Sequence, residues 1–271
     1  MRDSEKNPLL SPNEVASLRM FLSGFVMLPI FFKNLTIAFS KNWIWFLLVG
    51  LLGNFIPAFL FTNALKTLSS SFTGVLNSLV PLFSVLVTVF VFRQKLTPTA
   101  FIGVLIGLIG TSCLIYFHNG GFDKIAVIPT LLIVLATICY AFSLNIIKHK
   151  LSKVSSLSIT GVSLIFIMIP SIFMILKEDT ISKIADPIYY NSFSYIIILS
   201  LIGTTLALII FNQLIKMTTS VFASSVTYLI PVVAILWGIY FDEKITWGIS
   251  FIALTLVGIY IVKREESKRM E

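Results

Sequence analysis

GNFIPAFLFTNALKTLSSSFTGVLNSLVP, Gly53 to Pro81, is a stretch that the chain carries twice. The second copy, GTTLALIIFNQLIKMTTSVFASSVTYLIP, runs from Gly203 to Pro231, about 150 residues later and without a gap. Gly53, Phe61, Lys66, Ser70, Phe72, Leu79 and Pro81 meet Gly203, Phe211, Lys216, Ser220, Phe222, Leu229 and Pro231. Most other columns pair apolar with apolar. An internal repeat constrains the fold before any single element does. Each copy is a long apolar run, a polar break at Lys66 or Lys216, and a second apolar run with proline in its middle.

Composition sets the solvent. Of 271 residues, 57% are hydrophobic and only 12% charged, whereas soluble domains are about 25% charged. Too few charges remain to cover a water-exposed surface, so the chain is expected to be an integral membrane protein. The net charge of +8 does not point to nucleic acid, because the cations stand singly between apolar runs and form no patch. Cys113 and Cys139 lie inside apolar runs, and no Cys/His spacing points to a metal. No cofactor is expected. The polar opening MRDSEKNPLLSP has no apolar segment of the signal-peptide kind.

A spanning helix needs about 20 apolar residues. Nine runs qualify, at about 14–32, 43–65, 70–92, 98–117, 125–147, 156–176, 193–215, 219–241 and 245–262. Their length and lack of period-two alternation predict an all-α protein, not a barrel. With a cytoplasmic C-terminus, twelve Lys and Arg face inside (Lys33, Lys41, Arg93, Lys95, Lys148, Lys150, Lys153, Lys216, Lys263, Arg264, Lys268, Arg269). Seven face outside (Arg2, Lys6, Lys66, Lys124, Lys177, Lys183, Lys244). The bias predicts that orientation.

The runs at 43–65 and 193–215 are five spans apart, and an odd displacement reverses direction across the bilayer. The halves are therefore expected to be inverted repeats, as in many secondary transporters. Residues 1–117 would form a first repeat of four helices, 125–262 a second of five, and 263–271 a basic cytoplasmic tail. A complete first repeat would need one more helix before Met1, equivalent to 125–147. Two readings follow: the start is truncated, or the protein works without that helix.

These residues resemble the EamA family of the drug/metabolite transporter superfamily. The likeness rests on Ala64, Leu65, Ser69, Gly74, Leu76, Ser78, Leu79 and Pro81, and on Pro231 followed by Asp242-Glu243-Lys244. It also rests on Gly103, Gly107 and Gly110, and on LSPNEVASLRMFL from Leu10 to Leu22, with Arg19 at the family's arginine. The chain departs at Arg93-Gln94-Lys95, where the family often has Glu. The resemblance implies a ten-helix fold, export of small metabolites, amino acids or drugs, and a place in the bacterial inner membrane.

Candidate functional residues come from polar groups on helical faces. Gly50, Asn54, Pro57 and Phe61 share a stripe, as do Thr204, Ala207, Leu208 and Phe211. Thr73, Asn77 and Ser84 share a face, as do Ser220, Ser224 and Thr227 with Tyr228, and Tyr140 with Ser143. Polar groups facing lipid are costly, so these faces should point inward. They could line a substrate cavity or simply bond helix to helix. The substrate-contacting set is taken as Asn54, Phe61, Asn77, Ser78, Tyr140, Thr204, Phe211, Thr227, Tyr228 and Arg19. Arg19 is the one charge well inside a run, and it could bind an anion, reach the surface or pair with Glu14. Pro81 and Pro231 should break their helices near the midplane, as a kink or a site. The glycines at 103, 107 and 110 should pack within the chain or across a homodimer. No mid-span Asp or Glu offers a proton site.

The expected function is alternating-access transport of a small molecule, an amino acid or amine among the candidates, in a lipid bilayer. A non-transporting scaffold is the second reading. An intramembrane lipid-modifying enzyme is the third, and it would need a convergent set of His, Asp, Ser or Cys that the sequence does not display.

Overall fold

The computed structural model describes residues 10–68, 70–95, 97–119, 126–178, 180–184, 186–230, 233 and 250–270. Pro231 and the Asp242-Glu243-Lys244 turn lie outside them. Among the described residues all regular structure is helical: α1 (Pro12–Val26), α2 (Leu28–Lys33), α3 (Leu35–Ala38), α4 (Trp43–Gly50), α5 (Ile56–Ala64), α6 (Ser70–Asn77), α7 (Val80–Leu86) and α8 (Pro98–Asn119). Then follow α9 (Val127–Lys150), α10 (Ser156–Lys177), α11 (Thr180–Ile184), α12 (Tyr190–Ile198), α13 (Ala207–Met217), α14 (Ser220–Ser225) and α15 (Phe251–Met270).

Among the described residues, four continuous helices are long and apolar enough to cross a bilayer: Trp43–Ala64, Val127–Lys150, Ser156–Lys177 and Pro187–Met217. Three more apolar helical stretches, Val80–Val91, Pro98–Cys113 and Phe251–Val262, are shorter. Among the described residues these helices do not establish the expected count of nine whole spans, and several of the nine runs are divided. The run at 14–32 breaks at Met27, since Pro29 starts a new helix and has no N–H to continue the old one. The run at 70–92 breaks at Ser78–Leu79, before α7.

That second break changes the role of Pro81. It sits in the first turn of α7, where a missing N–H costs nothing. Gly74 O accepts from both the N–H and the hydroxyl of Ser78, at 3.2 and 3.0 Å. Pro81 therefore starts a helix after a satisfied turn instead of kinking a continuous one.

The repeat is written into backbone irregularities. Leu51–Phe55 is a π-helical turn between α4 and α5, and Leu199–Leu206 is one between α12 and α13. Shifted by 150, Leu51–Phe55 falls within the second segment. Such π turns are frequent at functional sites.

The polar turns gather at two ends. At one, Ser11 Oγ and Asn13 Nδ2 donate to the Glu178 carboxylate (3.3 and 3.2 Å), and Asn63 Nδ2 donates to Asn13 Oδ1 (2.9 Å). At the other, Lys148 Nζ donates to Lys216 O (3.2 Å), and Ser158 Oγ to Asn34 Oδ1 (2.8 Å). Between the ends, the outer faces are apolar: Phe90 is 75% exposed and Ile128 73%. Water would not tolerate such a surface; lipid does.

Glu14 does not pair with Arg19. It closes a capping box with Ser11 at the start of α1, accepting from the Ser11 N–H at 2.7 Å, and it forms an ion pair with Lys183 at 2.7 Å. The carboxylate is almost wholly buried, so removing its cation leaves a desolvated charge. Lys183→Met is expected to cost about 1–3 kcal/mol, visible as a lower thermal midpoint in detergent. Glu14→Gln, an uncharged side chain that can still cap the helix, should cost less.

Candidate functional site

The two π turns do more than mark the repeat. A π turn holds one residue more than an α turn, so it re-aims the side chains that follow. Gly53 and Asn54 in the first, and Gly203 and Thr204 in the second, open onto one cavity of about 620 Å³. Small-molecule sites commonly measure about 300–1,000 Å³. Gly53 lets the π turn approach α9 closely: a β-carbon there would displace the Ser143 hydroxyl.

Most of the wall comes from equivalent positions in the two halves. Gly53 and Gly203, Asn54 and Thr204, Ala58 and Leu208, Phe61 and Phe211, Thr62 and Asn212, Leu65 and Ile215, Asn77 and Thr227, and Val80 and Ile230 all line it. Each pair differs by 150. Arg19 and Met20 on α1, Tyr140 and Ser143 on α9, and Thr160 and Ser163 on α10 close the remaining sides. The Phe61 and Tyr140 rings lie 5.9 Å apart, tilted by 37°.

The polar wall groups fall into two kinds. Several are spent on neighbours: Asn212 Nδ2 donates to Thr160 Oγ1 (2.9 Å), Ser163 Oγ to Ile159 O (2.6 Å) and Thr227 Oγ1 to Ser224 O (2.7 Å). The Asn54 and Asn77 amides and the Tyr140 hydroxyl make no hydrogen bond among the described residues. Arg19 Nε donates to Thr204 Oγ1 at 2.6 Å, tying α1 to the second π turn. Ser23 Oγ adds a second tie to the same turn, at Ser200 O (3.1 Å).

Of the ten residues expected to contact substrate, Arg19, Asn54, Phe61, Asn77, Tyr140, Thr204, Phe211 and Thr227 lie on this wall. Ser78 and Tyr228 do not. Ser78 is buried in the turn before α7. Tyr228 ends a 3-10 turn, Val226–Tyr228. That tighter winding leaves Thr227 on the cavity and sends the Tyr228 ring to α8, where its hydroxyl donates to Val104 O at 2.9 Å. A buried phenol needs such an acceptor. The expected stripe also loses Gly50, which packs on Ser163 O of α10 instead. Thr62 and Asn212 were missed, although the signal was present: both are polar residues directly after the repeated phenylalanine.

A second polar cluster lies deeper in the wall. Along α9, Leu144 and Ile147 line the large cavity, while Lys148 and His149 line a smaller one of about 200 Å³. Asn145, fully buried, sits between. Its Oδ1 accepts from Thr88 Oγ1 (2.7 Å) and Ser220 Oγ (2.9 Å). Its Nδ2 donates to Ala141 O (2.9 Å) and toward Ser84 (3.3 Å to O and Oγ). Thr88 and Ser220 line the smaller cavity.

Comparison with known proteins agrees with this architecture. A solved crystal structure, 19% identical in sequence, superposes with a TM-score of 0.74 over 97% of this chain and 90% of the other. At that identity the likeness concerns the fold. No protein of curated function matches the sequence. The model of the EamA-like transporter family matches residues 7–116 and again 127–264, one match for each half. A multi-pass helical membrane protein with a cavity shared by two repeats, matched over nearly its whole length by that model, belongs to the EamA-like transporter family.

Proposed function

We propose that the chain carries a small metabolite across a membrane by alternating access between two inverted repeats, using the cavity around Asn54 and Thr204. The observation that carries this reading is the set of eight wall pairs related by the repeat. A site built from equivalent positions of two halves changes its exposure when the halves rock against each other, with little change in its own contacts. The unspent amides of Asn54 and Asn77 and the Tyr140 hydroxyl would orient the solute. Phe61 and Phe211 would cover its apolar part.

Alternating access also needs one end shut. The Asn145 network fits that task at the end where Lys148 meets Lys216, because it joins α7, α9 and α14 through one side chain. The excess of Lys and Arg in the turns of this end supports a cytoplasmic position for it. On that reading the C-terminus is inside and the protein sits in a bacterial inner membrane. The nine apolar runs then supply the crossings, several of them as broken helices.

The test is flux in proteoliposomes with labelled amino acids and amines, the candidate solutes, and with their acidic counterparts. Saturable flux that depends on the protein supports transport; no saturable flux of any of them counts against it. Phe211→Ala should raise KM several-fold, because a lost aromatic contact is worth about 1 kcal/mol, and should lower the thermal midpoint, because the ring also packs on the core. A C-terminal tag reactive only from outside would overturn the orientation.

A further inference from the structure

The cavity carries one formal charge among the described residues of its wall, and its surroundings say what that charge is for. Arg19 bonds through Nε alone, at 2.6 Å to Thr204 Oγ1. The Thr204 hydroxyl points its own proton at Leu199 O (3.2 Å), five residues back in the π turn. Its oxygen therefore accepts from Arg19, and the guanidinium plane is held from the side. The terminal nitrogens carry four of the five guanidinium N–H donors. They make no hydrogen bond among the described residues. Glu14, five residues earlier, is committed to Lys183 and to the Ser11 N–H, each at 2.7 Å.

A lone cation on the cavity wall, with two terminal nitrogens that make no hydrogen bond among the described residues, is an incomplete ion pair, and a charge is expensive at membrane depth. A guanidinium fork matches a carboxylate in shape, taking both oxygens at once. Charge count then selects the class. A monoanion neutralises the cavity. An amine adds a second positive charge and meets no carboxylate on the described wall. A phosphate dianion leaves a net negative charge. A zwitterion satisfies Arg19 but leaves its ammonium with neutral acceptors only. Phe61, Tyr140 and Phe211 supply the apolar remainder of the wall.

We propose that the solute is a monocarboxylate with an apolar aryl or branched alkyl body, its carboxylate held by the terminal nitrogens of Arg19. This rests on the transport reading and narrows it, away from amines and toward organic acids that lack an amino group.

The experiment measures equilibrium binding to the purified protein at pH 7.5, alongside flux in proteoliposomes. The probes share a phenyl ring and differ in their charged group: 3-phenylpropanoate, phenylalanine, phenethylamine and phenyl phosphate. 3-Phenylpropanoate is expected to bind at least about ten-fold tighter than the other three. Arg19→Gln should weaken it about ten- to hundred-fold, and Arg19→Lys, which keeps charge but not the fork, by less. Thr204→Val should weaken it a few-fold by freeing the guanidinium plane. Size-exclusion profiles and thermal midpoints identify any variant that fails to fold, and Arg19→Lys stands in if Arg19→Gln does.

Tighter binding of phenethylamine or phenylalanine, or binding indifferent to Arg19, overturns the proposal. If that solute is also transported, the transport reading survives. Preference for phenyl phosphate overturns the monoanion assignment. Arg19-dependent binding of 3-phenylpropanoate without flux of any probe supports the proposal and counts against transport. No binding and no flux overturns both.

Discussion

Gly258→Leu is expected to abolish folded protein, and even Gly258→Ala to destabilise it strongly. A β-carbon at Gly258 would fall on the backbone of Gly107, and one at Gly110 would lie 2.6 Å from the Thr255 N. Gly103 is similarly close, with its hypothetical β-carbon 3.0 Å from Gly258 O. Helices α8 and α15 thus meet backbone to backbone, the arrangement that small residues permit inside membranes. A side chain that meets another side chain can be accommodated by a rotamer change. Here the obstacle is main chain, so the helices must separate along their length. Overpacking a core typically costs about 1–3 kcal/mol, and a rigid obstacle puts Gly258→Ala at the upper end. Leucine adds three more carbons to the same contact. Ile109 is on the facing helix α8 but 55% exposed, so Ile109→Leu should leave the thermal midpoint unchanged. Fluorescence-detected size exclusion during a temperature ramp reads all three. A midpoint for Gly258→Ala equal to that of the native chain would show that the two helices are not held this closely.

How far this packing was legible differs from residue to residue. The spacing of Gly103, Gly107 and Gly110 announced a close helix contact, but nothing in the spacing named α15 as the partner. The repeat was far more informative. It placed Asn54 with Thr204, Phe61 with Phe211 and Asn77 with Thr227 before any coordinates, and all six line the cavity. The misreadings share one physical cause, the assumption of an unbroken 3.6-residue period. The π turn at Leu51–Phe55 removes Gly50 from the stripe that Asn54 begins. The 3-10 turn at Val226–Tyr228 rotates Tyr228 toward α8. Local winding of this kind depends on tertiary neighbours, such as the Ser143 side chain against Gly53, and a hydropathy pattern does not record it. Arg19 was legible as an unusual charge, whereas its contact with Thr204 joins elements 185 residues apart and required the fold.

Asn145→Leu is expected to produce the second large effect, on both stability and conformation. Asn145 uses its whole amide: two acceptances from Thr88 and Ser220, and two donations, to Ala141 O and toward Ser84. Leucine keeps the branched outline but its methyl groups are bulkier, so the loss of hydrogen bonds comes with some overpacking at a fully buried position. Thr88 Oγ1 also reaches Ser84 O at 2.7 Å, which gives it a fallback. Ser220 retains only the 3.2 Å contact with Thr88. Each polar group left unsatisfied in a buried layer costs about 1–3 kcal/mol, so a total of about 2–4 kcal/mol is expected in the thermal midpoint. Single variants Thr88→Val and Ser220→Ala should each cost less. Their double variant should be non-additive by about 0.5–1 kcal/mol, because both hydroxyls serve the same oxygen. The conformational consequence separates a gate from a mere brace. If the network holds one end of the cavity shut, Asn145→Leu should raise the reactivity of a cysteine placed at Ile147 toward a membrane-impermeant thiol reagent, with Cys113 and Cys139 replaced by serine. The reagent should act from the side where Lys148 and Lys216 lie. A destabilised protein whose cysteine at 147 remains unreactive would assign Asn145 to structure alone.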